Sequence, residues 1–297
     1  MVQNGNHWGL DLAVQLSVSV DSFGGIYAGG SFSKAGEVET SGVARWNGNE
    51  WKSLGTGLGG FWGLVDSTDV DSSHNFYVAG SFMSSGDVSA RDVAKWDNQK
   101  EEWVLMNERN FNEYRYPNMA SQVAVNSKDI PVFITGYQLP WPPEFQDSWM
   151  ELEKYENNEW TRLGMNPVTF TITAKDEIFM ISYTRDDQKQ INGYKLSKFN
   201  GLGWQEYDIE IGSGVRVIKY IEKDDNLLVG GDFITVGGKV SPYLAKICFS
   251  DECIDAEGET VVEEEDDDDD DDDQTTEDID QIPDFEIDDD IFSPDND

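Results

Sequence analysis

The sequence predicts an all-β fold, a five-bladed β-propeller of four-stranded blades, closed by the N-terminal strand and followed by a disordered acidic C-terminal tail. Three observations predict it. A unit of about 44 to 57 residues recurs five times along the 297-residue chain. Each unit alternates short β-branched or aromatic runs with turn residues. The pattern Asn47-Gly48-Asn49-Glu50-Trp51 returns as Asn4-Gly5-Asn6-His7-Trp8, so the chain opens inside a unit.

The first strand of each unit alternates apolar and polar residues: Val14–Val20, Leu64–Val70, Ala120–Val125, Val168–Ala174 and Val215–Ile221. A polar turn follows, such as Asp21-Ser22-Phe23-Gly24 or Asp71–Asn75. The second strand ends on an aromatic residue: Ile26–Phe32, Phe76–Phe82, Val132–Tyr137, Ile178–Tyr183 and Leu227–Phe233. The third carries an anchor, 14, 14, 18, 16 and 14 residues later, at Trp46, Trp96, Tyr155, Phe199 and Ile247. In four units a Trp follows after five or seven residues: Trp51, Trp103, Trp160 and Trp204. Between anchor and Trp lie Asn47-Gly48, Asp97-Asn98, Asn157-Asn158 and Asn200-Gly201; Asn-Gly between strands predicts a type I′ hairpin, whose central residues take φ > 0. The fifth unit has Glu252 at its Trp position, so Trp8 is expected to supply that strand and close the ring, removing the sheet edges that template aggregation. A weak strand at Glu252–Ala256 is the alternative, which would leave the N-terminal strand another partner.

Charge divides the chain into a propeller at residues 1–253 and a tail at 254–297. The tail holds 24 acidic residues and no Lys or Arg, leaving 35 acidic and 21 basic residues in the body. An uninterrupted acidic run repels itself and stays unfolded. Ile279, Ile282, Phe285, Ile287, Ile291 and Phe292 punctuate its end, as scattered apolar residues or as a short motif that folds on a partner. Basic proteins and divalent cations suit such a chain, and weak calcium binding by the run Asp266–Asp273 is the one cation role expected; no cofactor is. Nucleic acid is disfavoured for want of a basic patch. No apolar run approaches the ~20 residues that span a bilayer, and no signal peptide is visible. Cys248 and Cys253 either close a small loop as a disulfide or stand as two thiols.

The segments Ala28-Gly-Gly-Ser-Phe-Ser-Lys-Ala-Gly36 and Val43-Ala-Arg-Trp-Asn-Gly-Asn-Glu-Trp-Lys-Ser-Leu54 resemble the repeats of galactose-oxidase/kelch-like β-propellers, as found in fungal cortical polarity markers and bacterial surface proteins. The resemblance spans about Asn4 to Phe249, is strong in units one and two, partial in five and weak in three and four. It implies a propeller scaffold, often at a cell surface or outside the cell, and no common activity. The missing signal peptide points instead to the cytoplasm if the chain is complete. The copper chemistry of galactose oxidase has no matching Tyr/His set here.

Candidate sites are few. His7 and His74 fall in turns and read as surface residues, and no Ser-His-Asp or Cys-His arrangement is evident. Asp69-x-Asp71-x-Ser73-x-Asn75 begins like a calcium loop but lacks the Gly and Glu an EF-hand requires, with His74 and Gly80 there instead. Asp66 and Asp69 are carboxylates near inner strands, as a glycosidase would need. The third unit has the most unusual loop, Leu139-Pro-Trp141-Pro-Pro-Glu-Phe145-Gln-Asp-Ser-Trp149, stiffened by proline. Trp141, Phe145 and Trp149 would form a flat apolar platform there, or cap the neighbouring blade. The leading expectation is a non-catalytic module binding a protein or a glycan. A propeller glycosidase or related hydrolase is the alternative, and a lectin with one shallow site per blade the third.

Overall fold

The computed structural model describes residues 10, 14–59, 64–106, 116–138, 148–186 and 188–249. The chain separates into two units, Met1–Cys253 and Ile254–Asp297, and every described residue belongs to the first. The acidic tail, Trp8 and the 1–13 region around it (Leu10 apart) therefore lie outside the described residues, as do blade-closing strands drawn from them.

The described residues contain β-strands and no helix. Four antiparallel sheets have four strands each, paired in sequence order. The first joins Val14–Val20, Ile26–Ser31, Val43–Trp46 and Trp51–Ser53. The second joins Leu64–Val70, Phe76–Ser81, Val93–Asp97 and Glu102–Val104. The third joins Tyr116–Val125, Pro131–Gln138, Ser148–Glu156 and Glu159–Met165. The fourth joins Pro167–Ile172, Ile178–Arg185, Ile191–Phe199 and Trp204–Tyr207. A fifth sheet has three described strands, Val215–Ile221, Asn226–Gly231 and Leu244–Cys248. This succession of up-and-down sheets is the strand order of propeller blades.

Period-two alternation gives each sheet two apolar faces, and those that face each other between successive sheets are buried. Tyr27 and Val43 of the first sheet meet Phe76, Val78, Ala94, Trp96 and Trp103 of the second. Tyr77, Ala79 and Val93 of the second meet Val123 and Phe133 of the third. Val132, Ile134 and Leu152 meet Phe170, Ile178 and Met180 of the fourth. Phe179, Ile181 and Leu196 meet Ile218, Val229 and Ile247 of the fifth.

Polar stitches join neighbouring sheets along their first strands. The Ser17 and Ser19 hydroxyls bond the Thr68 hydroxyl at 3.0 and 2.7 Å. The Val123 amide donates to the Ser67 hydroxyl at 3.1 Å, and the Gln122 side-chain amide donates to the Phe170 carbonyl at 2.7 Å. A second row of stitches links the turns after the first strands. The Ser72 amide and hydroxyl donate to Asp129, those of Ser127 to Asp176, and the Ala174 amide to Glu222. Buried backbone and hydroxyl groups at the seams thereby keep partners.

The glycines of the second strand have a steric reason. A Cβ on Gly80 would lie 2.1 Å from the Leu64 carbonyl oxygen, and one on Gly231 2.2 Å from that of Gly214. The first strand bulges beside both, between Val65 and Ser67 and between Val215 and Val217.

The turns between third and fourth strands differ from the expectation. Both central residues are left-handed only at Asn157 (φ 52°) and Asn158 (φ 63°), as a type I′ turn requires. In the first and fourth sheets Gly48 and Gly201 have φ > 0 while the Asn47 and Asn200 side chains accept the amides of the second and third residues after them. The side chain does there what the second left-handed residue does elsewhere.

Candidate functional site

Four of the five anchors pair with their Trp across the strands: Trp46 with Trp51, Trp96 with Trp103, Tyr155 with Trp160 and Phe199 with Trp204. Their ring centroids lie 5.0 to 5.7 Å apart in tilted or edge-on arrangements. The Trp103 indole N–H donates to the Leu54 carbonyl of the preceding sheet at 2.9 Å, and that of Trp204 to the Leu163 carbonyl at 2.7 Å. These indoles tie one sheet to the next. Trp8 lies outside the described residues. Cys248 is disulfide-bonded, and Cys253 lies outside the described residues.

Chemistry concentrates on the third sheet. Alternation along Ser148–Glu156 sends Trp149, Glu151, Glu153 and Tyr155 to one face. The register sets Trp149 opposite Tyr137, Glu151 opposite Thr135 and Glu153 opposite Phe133. Glu151 and Glu153 are both buried. Glu153 Oε2 accepts the Thr135 hydroxyl and the Tyr137 hydroxyl, each at 2.6 Å. Glu151 Oε1 accepts the Trp149 indole N–H at 2.9 Å and a guanidinium N–H of the largely exposed Arg162 at 3.3 Å. The Tyr137 and Trp149 rings stack, with centroids 6.0 Å apart and planes 21° from parallel. A buried carboxyl is costly unless hydrogen bonds replace its water, and here they do. The outcome is an aromatic pair whose polar ends are each held by a carboxyl.

The sequence reading missed Thr135, Tyr137, Glu151, Glu153 and Arg162 as a group. A signal existed: three positions depart from the repeat together. Glu153 stands where the other units have Ala44, Ala94, Ser197 and Ala245. Thr135 replaces Gly30, Gly80 and Gly231, and Tyr137 adds a hydroxyl to the position of Phe32, Phe82 and Phe233. Of the loop platform expected from sequence, Trp149 belongs to this group; Trp141 and Phe145 lie outside the described residues, in the 139–147 stretch that joins the two strands.

Asp66 and Asp69 lie on the first strand of the second sheet. Burial pushes the Asp66 carboxyl above its ordinary value. Burial also raises Asp69, against the opposing pull of the Val125 and Val70 amides it accepts and of Lys219. His74 occupies its turn as expected but is not a free surface group. Its ring stacks on Phe23 at 4.5 Å, and Nδ1 faces the buried Asp21 Oδ2 at 3.4 Å, which also pairs with Arg45. His7 lies outside the described residues.

No family model and no curated protein sequence matches this chain. Among solved structures it is similar to the nidogen/laminin complex at 8% identity and TM-score 0.48, covering 74% of this chain and 73% of that one. It is similar to the GH74 xyloglucanase from Xanthomonas campestris at 12% identity and TM-score 0.46, covering 76% of this chain but only 35% of the enzyme. It is also similar to the GH93 α-L-arabinofuranosidase of Fusarium graminearum at 16% identity and TM-score 0.44, covering 84% and 79%. Likenesses of this size assign no ligand, and the resemblance to galactose-oxidase/kelch-like repeats stands on the repeat residues alone.

Proposed function

We propose that this chain is a non-catalytic, propeller-type interaction module that binds a protein or a glycan at the rim of the third sheet. The observation that carries this reading is the pair of buried carboxyls holding the Tyr137 and Trp149 rings in a stack. Glu151 and Glu153 are occupied by donors and shielded from solvent, so they suit positioning better than proton transfer to a substrate. Tyr137 is itself buried, so the contact face offered to a sugar ring or an apolar side chain is the half-buried Trp149 ring, held in place by the stack. The acidic tail would add attraction for basic partners or divalent cations, and a cell-surface or extracellular setting is part of the same proposal.

Binding of a glycan and protein panel tests it, read by calorimetry on the full chain and on a chain ending at Asp255. Trp149→Ala should weaken binding at least tenfold in a chain whose circular dichroism matches wild type, with a stability loss of about 1–3 kcal/mol for the donor taken from Glu151. Unchanged affinity in that variant would remove the site.

A second reading, a hydrolase using Asp66 and Asp69, is favoured by one observation: both carboxyls are raised by burial, as a general acid requires. Turnover of any glycan that Asp66→Asn abolishes would establish it in place of the first.

A further inference from the structure

The fourth strand of the third sheet, Glu159–Met165, breaks register with the third strand between Leu152 and Glu153. Among the described residues, the other three pairings of a third with a fourth strand run without such a break. The bulge falls at Arg162, which pairs with Glu153 while Gly164 pairs with Leu152. A bulge re-aims the side chains beside it, and Arg162 bonds Glu151 rather than its own cross-strand partner. The repeat does not call for an arginine here. Two residues after Trp51, Trp103 and Trp204 stand Ser53, Leu105 and Glu206, and only Arg162, two after Trp160, is basic.

One oxygen, Glu151 Oε1, therefore holds two donors, the Trp149 indole N–H and an Arg162 N–H. The Glu151 side chain is 1% exposed and the Arg162 side chain 56%. The bond to Glu151 is the one hydrogen bond of Arg162, so the rest of its donor fork is open to a ligand beside the half-buried Trp149 ring. Glu151 and Glu153 are both buried and both accept hydrogen bonds, so the charge this corner presents is the guanidinium. The net negative charge of the chain is screened beyond about 8 Å at physiological salt, which leaves the local group to select the ligand.

We infer that the ligand of this corner is an acidic glycan: the ring of a uronic acid packs on Trp149, and its carboxylate takes the outer N–H groups of Arg162. The inference rests on the reading of this corner as the binding site. A guanidinium matches a carboxylate with two parallel hydrogen bonds, and an indole face matches the apolar face of a pyranose. Because one buried oxygen fixes both groups, neither has much freedom left to lose on binding. A neutral sugar would give the fork no charged partner. An acidic peptide would supply the carboxylate without the rigid ring.

Calorimetry on the full chain tests it, with a tetragalacturonate and a hyaluronan tetrasaccharide, each beside its carboxyl-reduced form. Wild type is expected to bind at least one acidic probe on the order of tenfold more tightly than the reduced form, a comparison that needs no variant to fold. Arg162→Gln, with the circular dichroism of wild type, should lose that preference. Arg162→Lys, which keeps the charge without the fork, should lose most of it. Equal affinity for an acidic probe and its reduced form, with both weakened in Trp149→Ala, would overturn the inference and leave the binding corner standing. A preference for the acidic probe that survives both Trp149→Ala and Arg162→Gln would overturn the corner as well. Binding of neither pair of probes, or of tetraglutamate in their place, would overturn the assignment to a glycan.

Discussion

The second and third sheets share strand order, and in both the second and third strands pair without a break, yet the seams they bury differ in kind. In the second sheet, Gly80, Phe82 and Ala94 give a tight apolar seam, with the glycine in contact with the bulged Leu64–Val65 backbone. In the third, the same positions are Thr135, Tyr137 and Glu153, joined by two hydroxyl-to-carboxyl hydrogen bonds. The third sheet's first strand makes room by shifting register twice, between Pro117 and Met119 and between Ala120 and Gln122, where the second sheet's shifts once. A repeat thus tolerates a polar core when the three substitutions arrive as a set and the neighbouring strand bulges to admit them. Each member alone would leave either a clash or an unpaired buried group.

The sharpest way to break this comparison is to move one member of the set. Gly80→Thr places a Cβ against the Leu64 carbonyl, a contact that backbone alone can relieve, and should cost about 3 kcal/mol or more in chemical denaturation. The reverse test acts on the third sheet. Glu153→Ala leaves the Thr135 and Tyr137 hydroxyls without their acceptor and should cost about 2–3 kcal/mol. Adding Thr135→Gly and Tyr137→Phe, which restores the second sheet's residues, should return most of that loss; a triple variant no more stable than Glu153→Ala would show that the cluster is not a unit.

A smaller effect probes what the two sheets have in common, their indole ties. Trp103→Phe keeps the ring packing on Trp96 but loses the bond to the Leu54 carbonyl, and should cost about 1 kcal/mol. The last prediction concerns pH. Burial raises the Asp66 carboxyl, so the folded chain holds that proton more tightly than the unfolded chain. Its favourable contribution is present below the unfolded value of roughly 3.9 and is lost as pH rises through the raised folded value. Wild type should therefore lose stability relative to Asp66→Asn as pH climbs from about 4 towards neutrality, measured as the difference between two melting curves at each pH. A constant difference would show that Asp66 titrates alike in both states.

How much of this was legible in the residues depends on distance along the chain. The pairing of Trp46 with Trp51 and of Phe199 with Trp204 could be read directly, because a short turn and fixed spacing leave few registers open. Glu153 could be seen to depart from Ala44 and Ala94, but not what it binds, since Thr135 and Tyr137 lie 18 and 16 residues away and reach it only through strand pairing. His74 read as an ordinary turn residue; only the packing of the first sheet against the second sets its ring on Phe23.

By itself, then, the sequence determined the local units: strands by alternation, turns by Asn, Asp and Gly, and the order in which four strands pair. Those are set by steric and hydrogen-bonding rules acting over a few residues. The tertiary structure decided which faces are covered. Val18 and Val123, or Leu244 and Leu152, are the same kinds of residue in the same register, and one of each pair is buried while the other meets solvent. Burial depends on whether another sheet lies alongside, and that neighbour is supplied by residues far along the chain.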